Sequence, residues 1–443
     1  MANKPIIEPR ILKGFRDTLP QSAIVRTKMI NILQDVFAAH GFTPIDTPAL
    51  EYTETLMGKG SDETDKQMFR FMDNGERDVA LRFDLTVPFA RYAAMYIDSF
   101  GTPFKRYHIG LAWRGEKPQR GRYREFHQCD IDTIGTRSIY ADAEILAVIG
   151  KALKALDINY RFKINDRNLM NALLAKLQVS DKKTAVLRAI DKKDKLGEDV
   201  VRTELVKEAG LSEAIVAEIF SFLALSNKDN KASEGLARVR QYFNGDEAAK
   251  KSLAELECVF AYLNNNNISE ERYGFDLSIT RGLDYYTGLV FETIFLALPE
   301  YGSIASGGRY DNLATLYTKR ELPGVGGSIG LERILGGFEE LLRIEKRISP
   351  AQVFVTMIDN NDLDYLLKVA NLLRASGVYT EISLETGKLG NQFKYAEKKG
   401  IDLVIIAGDA EKLAQTVNLK QLSSGEQQSA IALADLVNIV KSK

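Results

Sequence analysis

The stretch Phe104–Gly135, FKRYHIGLAWRGEKPQRGRYREFHQCDIDTIG, does most to limit what this chain can fold into. A strand-like run over 105–113 and a second one carrying Gln128, Asp130 and Asp132 flank a short loop, and that succession reads as a hairpin. Lys105, Arg106, Arg114, Lys117, Arg120, Arg122 and Arg124 meet only Glu116 and Glu125 before the second run begins. Arginine suits planar, bidentate phosphate recognition, and no working pH removes its charge. A polyphosphate therefore fits the first half of the stretch, and a small cationic or hydrogen-bond-donating molecule fits the second. The plain alternative is a solvated basic hairpin, because charge runs usually mark exposed faces.

Two regions further on weigh against the plain alternative. Phe275, Leu277 and Ile279 alternate with polar residues as in a half-buried strand, and Leu289, Val290 and Phe291 form another apolar run. Between them Arg281, Asp284, Tyr285 and Tyr286 sit at an expected turn. An arginine beside paired tyrosines offers a charge for a developing anion and hydroxyls for a polar ring; a hairpin with tyrosines as packing is the alternative. Ser303–Asp311 reads as a strand closing on Gly307 and Gly308, where backbone approaches something closely. Gly324–Arg333 reads as a glycine-rich strand running into a helix, with Arg333 just after the glycines. It is not a dinucleotide fingerprint: the spacing Gly324, Gly326, Gly330 is one residue too long, and no P-loop Gly-Lys-Ser/Thr occurs.

Taken in order, these segments resemble the histidyl-tRNA synthetases, a family of class II aminoacyl-tRNA synthetases. The resemblance begins with Lys13–Pro20 and continues through Gly41–Pro48, which is similar to class II motif 1 with Pro48 as its proline. Leu81–Arg91, LRFDLTVPFAR, is similar to the family's amino-acid-binding strand, and the 104–135 stretch to motif 2. Arg281–Tyr286 and Ser306–Asp311 resemble the two histidine-specific signatures, and Gly326–Arg333 resembles motif 3. The likeness spans essentially the whole chain, and Arg-Gly-Leu-Asp-Tyr-Tyr is a highly specific string.

Composition agrees with an ordinary globular protein: 443 residues, 45% hydrophobic and 27% charged, with a net charge of −1. At roughly 150 residues per domain that length holds two or three domains. Near-neutral charge argues against a protein that coats nucleic acid nonspecifically, yet a few local Lys and Arg are enough for a tRNA that must be released. The two cysteines, Cys129 and Cys258, have no metal or redox spacing. The N-terminus lacks an apolar core of signal-peptide length and no run approaches the ~20 apolar residues of a membrane span, so the expected location is the cytoplasm.

Periodicity predicts an amphipathic helix over 21–40, strands over 79–87 and 105–113 separated by a helix at about 88–97, a strand over 157–164, and helix from Arg167. Residues 180–262 are rich in Lys, Glu, Ala and Leu, with helix stop and start marks at Gly210 and Ser212. No catalytic constellation occurs there, so about 170–262 reads as a helical insertion in a catalytic domain over 1–345. From 351 to 443, strands at 353–355, 379–384 and 403–407 alternate with helices at 361–375 and 389–399, which implies a small parallel-sheet α/β domain. The expected fold is thus α+β: a class II-type antiparallel sheet flanked by helices, the insertion, and a C-terminal module resembling an anticodon-binding domain.

The resemblance implies an activity: histidine and ATP form histidyl-adenylate and pyrophosphate, and histidine then passes to the 3′ end of tRNA(His). It gives Arg114 and Arg281 to catalysis and Arg114, Glu116, Arg122 and Arg333 to ATP, which enters with Mg2+; no protein side chain is assigned to a metal. It gives Asp84, Thr86, Gln128, Asp132, Arg281, Tyr285, Tyr286 and Tyr310 to histidine. Many relatives carry Glu in place of Asp84. Gln119, Lys394 and Lys398 are the expected tRNA contacts, although the lysines also fit a solvated helix face. Motif 1 implies a two-fold homodimer. Two other readings have the same outline: a silent regulatory subunit of the first enzyme of histidine biosynthesis, which usually lacks the C-terminal domain, and a non-catalytic signalling protein.

Overall fold

The strand–loop–strand at 104–135 lies within an eight-stranded sheet in the computed structural model, which describes residues 7–57, 67–226, 231–280 and 285–443. The strands up to residue 330 are β1 (Thr43–Pro44), β2 (Leu50–Tyr52), β3 (Arg70–Met72), β4 (Asp78–Leu81), β5 (Phe104–Trp113), β6 (Glu125–Ile134), β7 (Tyr160–Asp166), β8 (Tyr273–Phe275), β9 (Leu289–Phe295), β10 (Ser303–Tyr310) and β11 (Gly324–Gly330). The large sheet has the order β1-β5-β6-β11-β10-β9-β7-β8, and a three-stranded sheet has the order β2-β4-β3. From β5 to β7 every neighbour is antiparallel; the edge strands β1 and β8 lie parallel to β5 and β7.

The sheet has two chemically different faces, and the period of two sorts the side chains between them. On one face the helix Ile139–Ala155 packs, reached by Lys105 through Glu144 at 2.7 Å and by Arg309 through Asp142. Cys129, Ile131, Val325 and Ile329 are buried here. The opposite face carries Arg106 and His108 of β5, level with Asp132 and Asp130 of β6, and then Gly326 and Ser328 of β11. Lys105 and Arg106 therefore belong to the strand and leave the basic loop to Arg114–Arg124.

Several expected boundaries shift. The strand expected over 79–87 ends at Leu81. Asp84 Oδ1 accepts the Val87 N–H at 3.1 Å, a helix Thr86–Phe100 follows, and Pro88 falls in its first turn, where no N–H is needed. The strand expected at 157–164 lies at Tyr160–Asp166. Likewise β8 stops at Phe275, because the Asp276 carboxylate accepts the N–H and hydroxyl of Ser278 and turns the chain. Leu277 and Ile279 are buried all the same. No hairpin joins β8 to β9, since β7 lies between them.

Between β7 and β8 come the helices Arg167–Lys176, Lys183–Asp191, Glu198–Lys207, Glu213–Ala224, Ala232–Tyr242 and Glu247–Asn265. The Ser212 hydroxyl accepts the Ile215 N–H and caps the fourth of these.

The chain divides into two compact units: the N-terminal residues to Arg16 with Met29–Gly337, and Asp17–Lys28 with Phe338–Lys443. The second contains β12 (Val353–Val355), β13 (Thr380–Ile382), β14 (Leu403–Ile406), β15 (Thr416–Gln421) and β16 (Gln427–Ala432), in the order β13-β12-β14-β15-β16. The first three are parallel as expected, but β15 and β16 add an antiparallel hairpin, so the sheet is mixed. Val417 and Leu419 alternate into the core with Val353, Val355 and Leu366.

Candidate active site

The polar face of the sheet is floored by register. Arg106 stands opposite Asp132 and Asp132 opposite Gly326; in the next row His108 stands opposite Asp130 and Asp130 opposite Ser328. Gln128 belongs to the third row, and its amide donates to Ser328 Oγ at 3.1 Å. The glycine at 326 is a steric necessity, since a Cβ there would lie 2.0 Å from Asp132 Oδ1. With that space open, Asp132 reaches across to accept the Tyr310 hydroxyl.

Above the floor stands the turn at Asp84–Thr86. Asp84 is buried, and its Oδ2 has no hydrogen-bond partner among the described residues. Burial pushes its carboxyl up to about 6, opposed by the Val87 N–H and by Arg114 and Arg106. Burial likewise raises Asp130 and Asp132, with Arg106 acting the other way on both. Tyr285 is buried and Tyr286 half-buried, their rings 4.8 Å apart, with Tyr310 6.0 Å from Tyr285. Thr86 hydrogen-bonds the Tyr285 hydroxyl. The histidine-site residues expected from sequence are therefore gathered in one place, apart from Arg281, which lies outside the described residues.

The loop between β5 and β6 supplies the cations. Arg114 Nε donates to the Phe83 carbonyl at 2.9 Å, and its guanidinium lies 5.1 Å from the centre of the Phe126 ring. Glu116 pairs with Arg122 at 3.3 Å and lies 3.9 Å from Arg114. At the loop tip, Gln119 is exposed and exchanges two backbone hydrogen bonds with Arg122. Gly121 follows with φ +64°, a conformation glycine adopts freely, and its Cα sits where a Cβ would be 3.2 Å from Arg333 Cα. The loop thus folds against the first turn of the helix Leu331–Glu340, which places Arg333 beside the loop that carries Arg114, Glu116 and Arg122. Arg333 also donates to the Ser303 carbonyl. Lys394 and Lys398 are exposed on the helix Leu389–Lys399 of the second unit.

Three features of the site escape motif reading. Arg106 is fully buried among the acids, Asp130 is a third buried carboxyl, and Glu332 binds His127. Strict alternation along β5 and β6 is the signal that would have put Arg106 and His108 on the face of Asp130 and Asp132. His108 donates Nε2–H to Asp46 at 2.9 Å, and burial with Arg106 and Arg82 lowers its pKa to about 3.

An antiparallel sheet whose polar face holds buried acids, bordered by arginines on the β5–β6 loop and on the helix after the glycine-rich strand, defines a class II aminoacyl-tRNA synthetase fold. Residues 14–334 match the family model "Histidyl-tRNA synthetase", and 352–443 match "Anticodon binding domain". The chain is 47% identical over 424 residues to a histidine–tRNA ligase of Rhodopirellula baltica, covering 96% of this chain and 95% of the relative. A histidine–tRNA ligase of Wolinella succinogenes is 42% identical over 441 residues, 99% of this chain and all of the relative. The crystal structure of histidyl-tRNA synthetase from Nostoc sp. PCC 7120 superposes with a TM-score of 0.88 at 33% identity, covering 99% of this chain and 100% of that one. The chain belongs to the histidyl-tRNA synthetase family. The regulatory-subunit reading is not favoured, because these curated relatives are ligases along nearly their full length and the C-terminal module is present.

Proposed function

We propose that the acid-lined face of the sheet holds histidine, that the arginine-lined loop beside it holds ATP, and that the chain charges tRNA(His). One observation carries this reading: three carboxyls, Asp84, Asp130 and Asp132, are buried around the guanidinium of Arg106, and Asp84 Oδ2 has no hydrogen-bond partner among the described residues. Buried charge of one sign needs a counter-charge, and an amino-acid ammonium supplies it. Asp84, with Thr86 beside it, takes the ammonium. Gln128, Asp132, Tyr286 and Tyr310 address the two ring nitrogens, and Tyr285 supports them. A pocket of fixed polar groups rejects apolar analogues because they leave those groups unpaired.

In the first step the histidine carboxylate attacks the α-phosphorus of ATP and the bond to the pyrophosphate oxygen breaks. Arg114 and Arg281 neutralise the charge that grows there, while Glu116, Arg122 and Arg333 hold the nucleotide. ATP would enter with Mg2+, which would offset part of the phosphate charge; no protein side chain is assigned to it. In the second step a hydroxyl of the terminal ribose of tRNA attacks the acyl carbon and AMP leaves. Gln119 meets the acceptor end, and Lys394 and Lys398 meet the anticodon arm.

The domain division that goes with this is catalytic over 1–345, with the insertion at about 170–262, and anticodon-binding over 351–443. The working form is a two-fold homodimer. Leu50, Tyr52, Phe71 and Met72 on the three-stranded sheet and Met95, Tyr96 and Phe100 on the helix Thr86–Phe100 are exposed, an apolar area suited to a second copy. None of the described helices is long and apolar enough to cross a membrane. Histidine-dependent pyrophosphate exchange followed by charging of tRNA(His) tests the whole reading; exchange driven by another amino acid, or none, overturns it.

A further inference from the structure

Arg106 belongs by sequence to the basic run, yet its side chain is fully buried. Nη2 lies 2.7 Å from Asp132 Oδ2 and 3.9 Å from Asp130 Oδ2. The same nitrogen donates to the Leu85 carbonyl at 3.2 Å. The guanidinium rests over the Phe89 ring, 4.5 Å from its centre. Leu85 is the residue between Asp84 and Thr86, and Phe89 lies one turn into the helix that this segment begins.

One side chain therefore touches both ends of the amino-acid site: the turn given to the ammonium and the acid given to the ring. All these polar contacts run through Nη2, while Nε and Nη1 have no hydrogen-bond partner among the described residues; the planar group sets where Nη2 stands, whereas the ammonium of lysine is a point charge on a flexible stem. Phe89 closes off the remaining face and favours a cation there.

We propose that Arg106 is a positioning residue for histidine, fixing the spacing between the Asp84–Thr86 turn and Asp132 and keeping Asp132 an acceptor for the ring. The inference rests on the histidine reading above. Facing Asp132 are Asp130 on its own strand, Asp84 on the turn, Tyr310 on β10, Tyr286 before β9, and Arg106, which brings the positive charge to this group. Without the guanidinium, neighbouring carboxylates would favour a proton on Asp132 and remove the acceptor.

The test is histidine-dependent pyrophosphate exchange by the full-length wild type, R106K, R106Q, D132N and R106Q/D132N, with histidine and ATP varied separately between about pH 6 and 9 and thermal unfolding followed on the same samples. R106K keeps the charge and loses the planar group that sets Nη2 between Asp132 and Leu85: the histidine KM rises about tenfold while the ATP KM stays within about twofold. In R106Q the acid limb of kcat/KM for histidine moves to higher pH, and its loss adds little to that of D132N. Equal rises in both KM values, an unmoved acid limb in R106Q, or full additivity with D132N overturns the inference. If R106Q does not fold, the KM split in R106K decides. A wild type without histidine-dependent exchange would sink the histidine reading itself; an active wild type matched by R106K sinks only the role of Arg106.

Discussion

Glu332 accepts two hydrogen bonds from His127, one from the backbone N–H at 2.8 Å and one from ring Nδ1 at 3.0 Å. The pair fastens the helix Leu331–Glu340, which carries Arg333, to the strand residue next to Phe126, whose ring lies under Arg114. The two sides of the proposed ATP site are thus held by one carboxylate. E332Q replaces one acceptor oxygen by a donor facing a donor, and we expect the ATP KM to rise about tenfold with little change for histidine. Separate titration of the two substrates checks this; an effect confined to histidine would contradict it.

Arg281 is assigned to the charge that develops at the α-phosphorus. R281A should lower histidine-dependent pyrophosphate exchange at least about a hundredfold, the scale for losing one preorganised transition-state donor. Histidine binding should weaken much less. Exchange close to wild type would remove Arg281 from the mechanism.

Asp132 accepts from Tyr310 and pairs with Arg106, and it is given to the imidazole. D132N should cost histidine affinity at least about tenfold while ATP binding is nearly intact. Calorimetric titration of each ligand separates the two, and an unchanged histidine affinity would move the ring contact elsewhere.

Asp84 gives the unliganded protein a pH signature. Its carboxyl titrates near 6 in the folded state against an ordinary value of about 4, so the folded state holds the extra proton in that window. Stability from this group is fully present below about pH 4 and is lost as pH rises through 6, a difference on the order of 3 kcal/mol at most. Asp130 is shifted in the same direction. The unfolding temperature should therefore fall less steeply across this window in D84N than in wild type. Added histidine needs the ionised form, so its stabilising effect should grow as pH rises through the same window. Parallel pH curves for D84N and wild type would show that Asp84 is not the group responsible.

Replacing Lys394 and Lys398 by alanine should weaken tRNA binding and reduce its salt slope by about one unit for each phosphate that no longer meets a lysine, with pyrophosphate exchange untouched. Filter binding over a salt series provides the measurement. Wild-type slopes would return both lysines to the role of a solvated helix face.

Local patterns carried much of this architecture. Alternation and glycine punctuation located β5, β6, β10 and β11, and the marks at Gly210 and Ser212 located a helix boundary within the insertion. What local pattern could not supply was pairing. Phe275–Ile279 alternates like a strand, but the Asp276 side chain turns it, and β7 inserts between β8 and β9. The same holds for the site: charge counting joined Arg106 to the phosphate group, because only the register of β5 against β6 shows which acids it neutralises. β15 and β16 have short alternating runs around a Ser-Ser-Gly turn, a weak signal until the partner strands are known.

The helical block between β7 and β8 has a topological consequence. Adjacent parallel strands cannot be joined by a tight turn; the chain must leave the sheet and come back on the same side. Here that obligatory detour has grown into a block of helices, the last of which, Glu247–Asn265, packs against Ile139–Ala155. Because β8 is the outermost strand, helices can be added to or removed from the detour without shifting the alignment of β7 on β9, so this is the part of the catalytic unit whose size can vary while the acid-lined floor stays as it is.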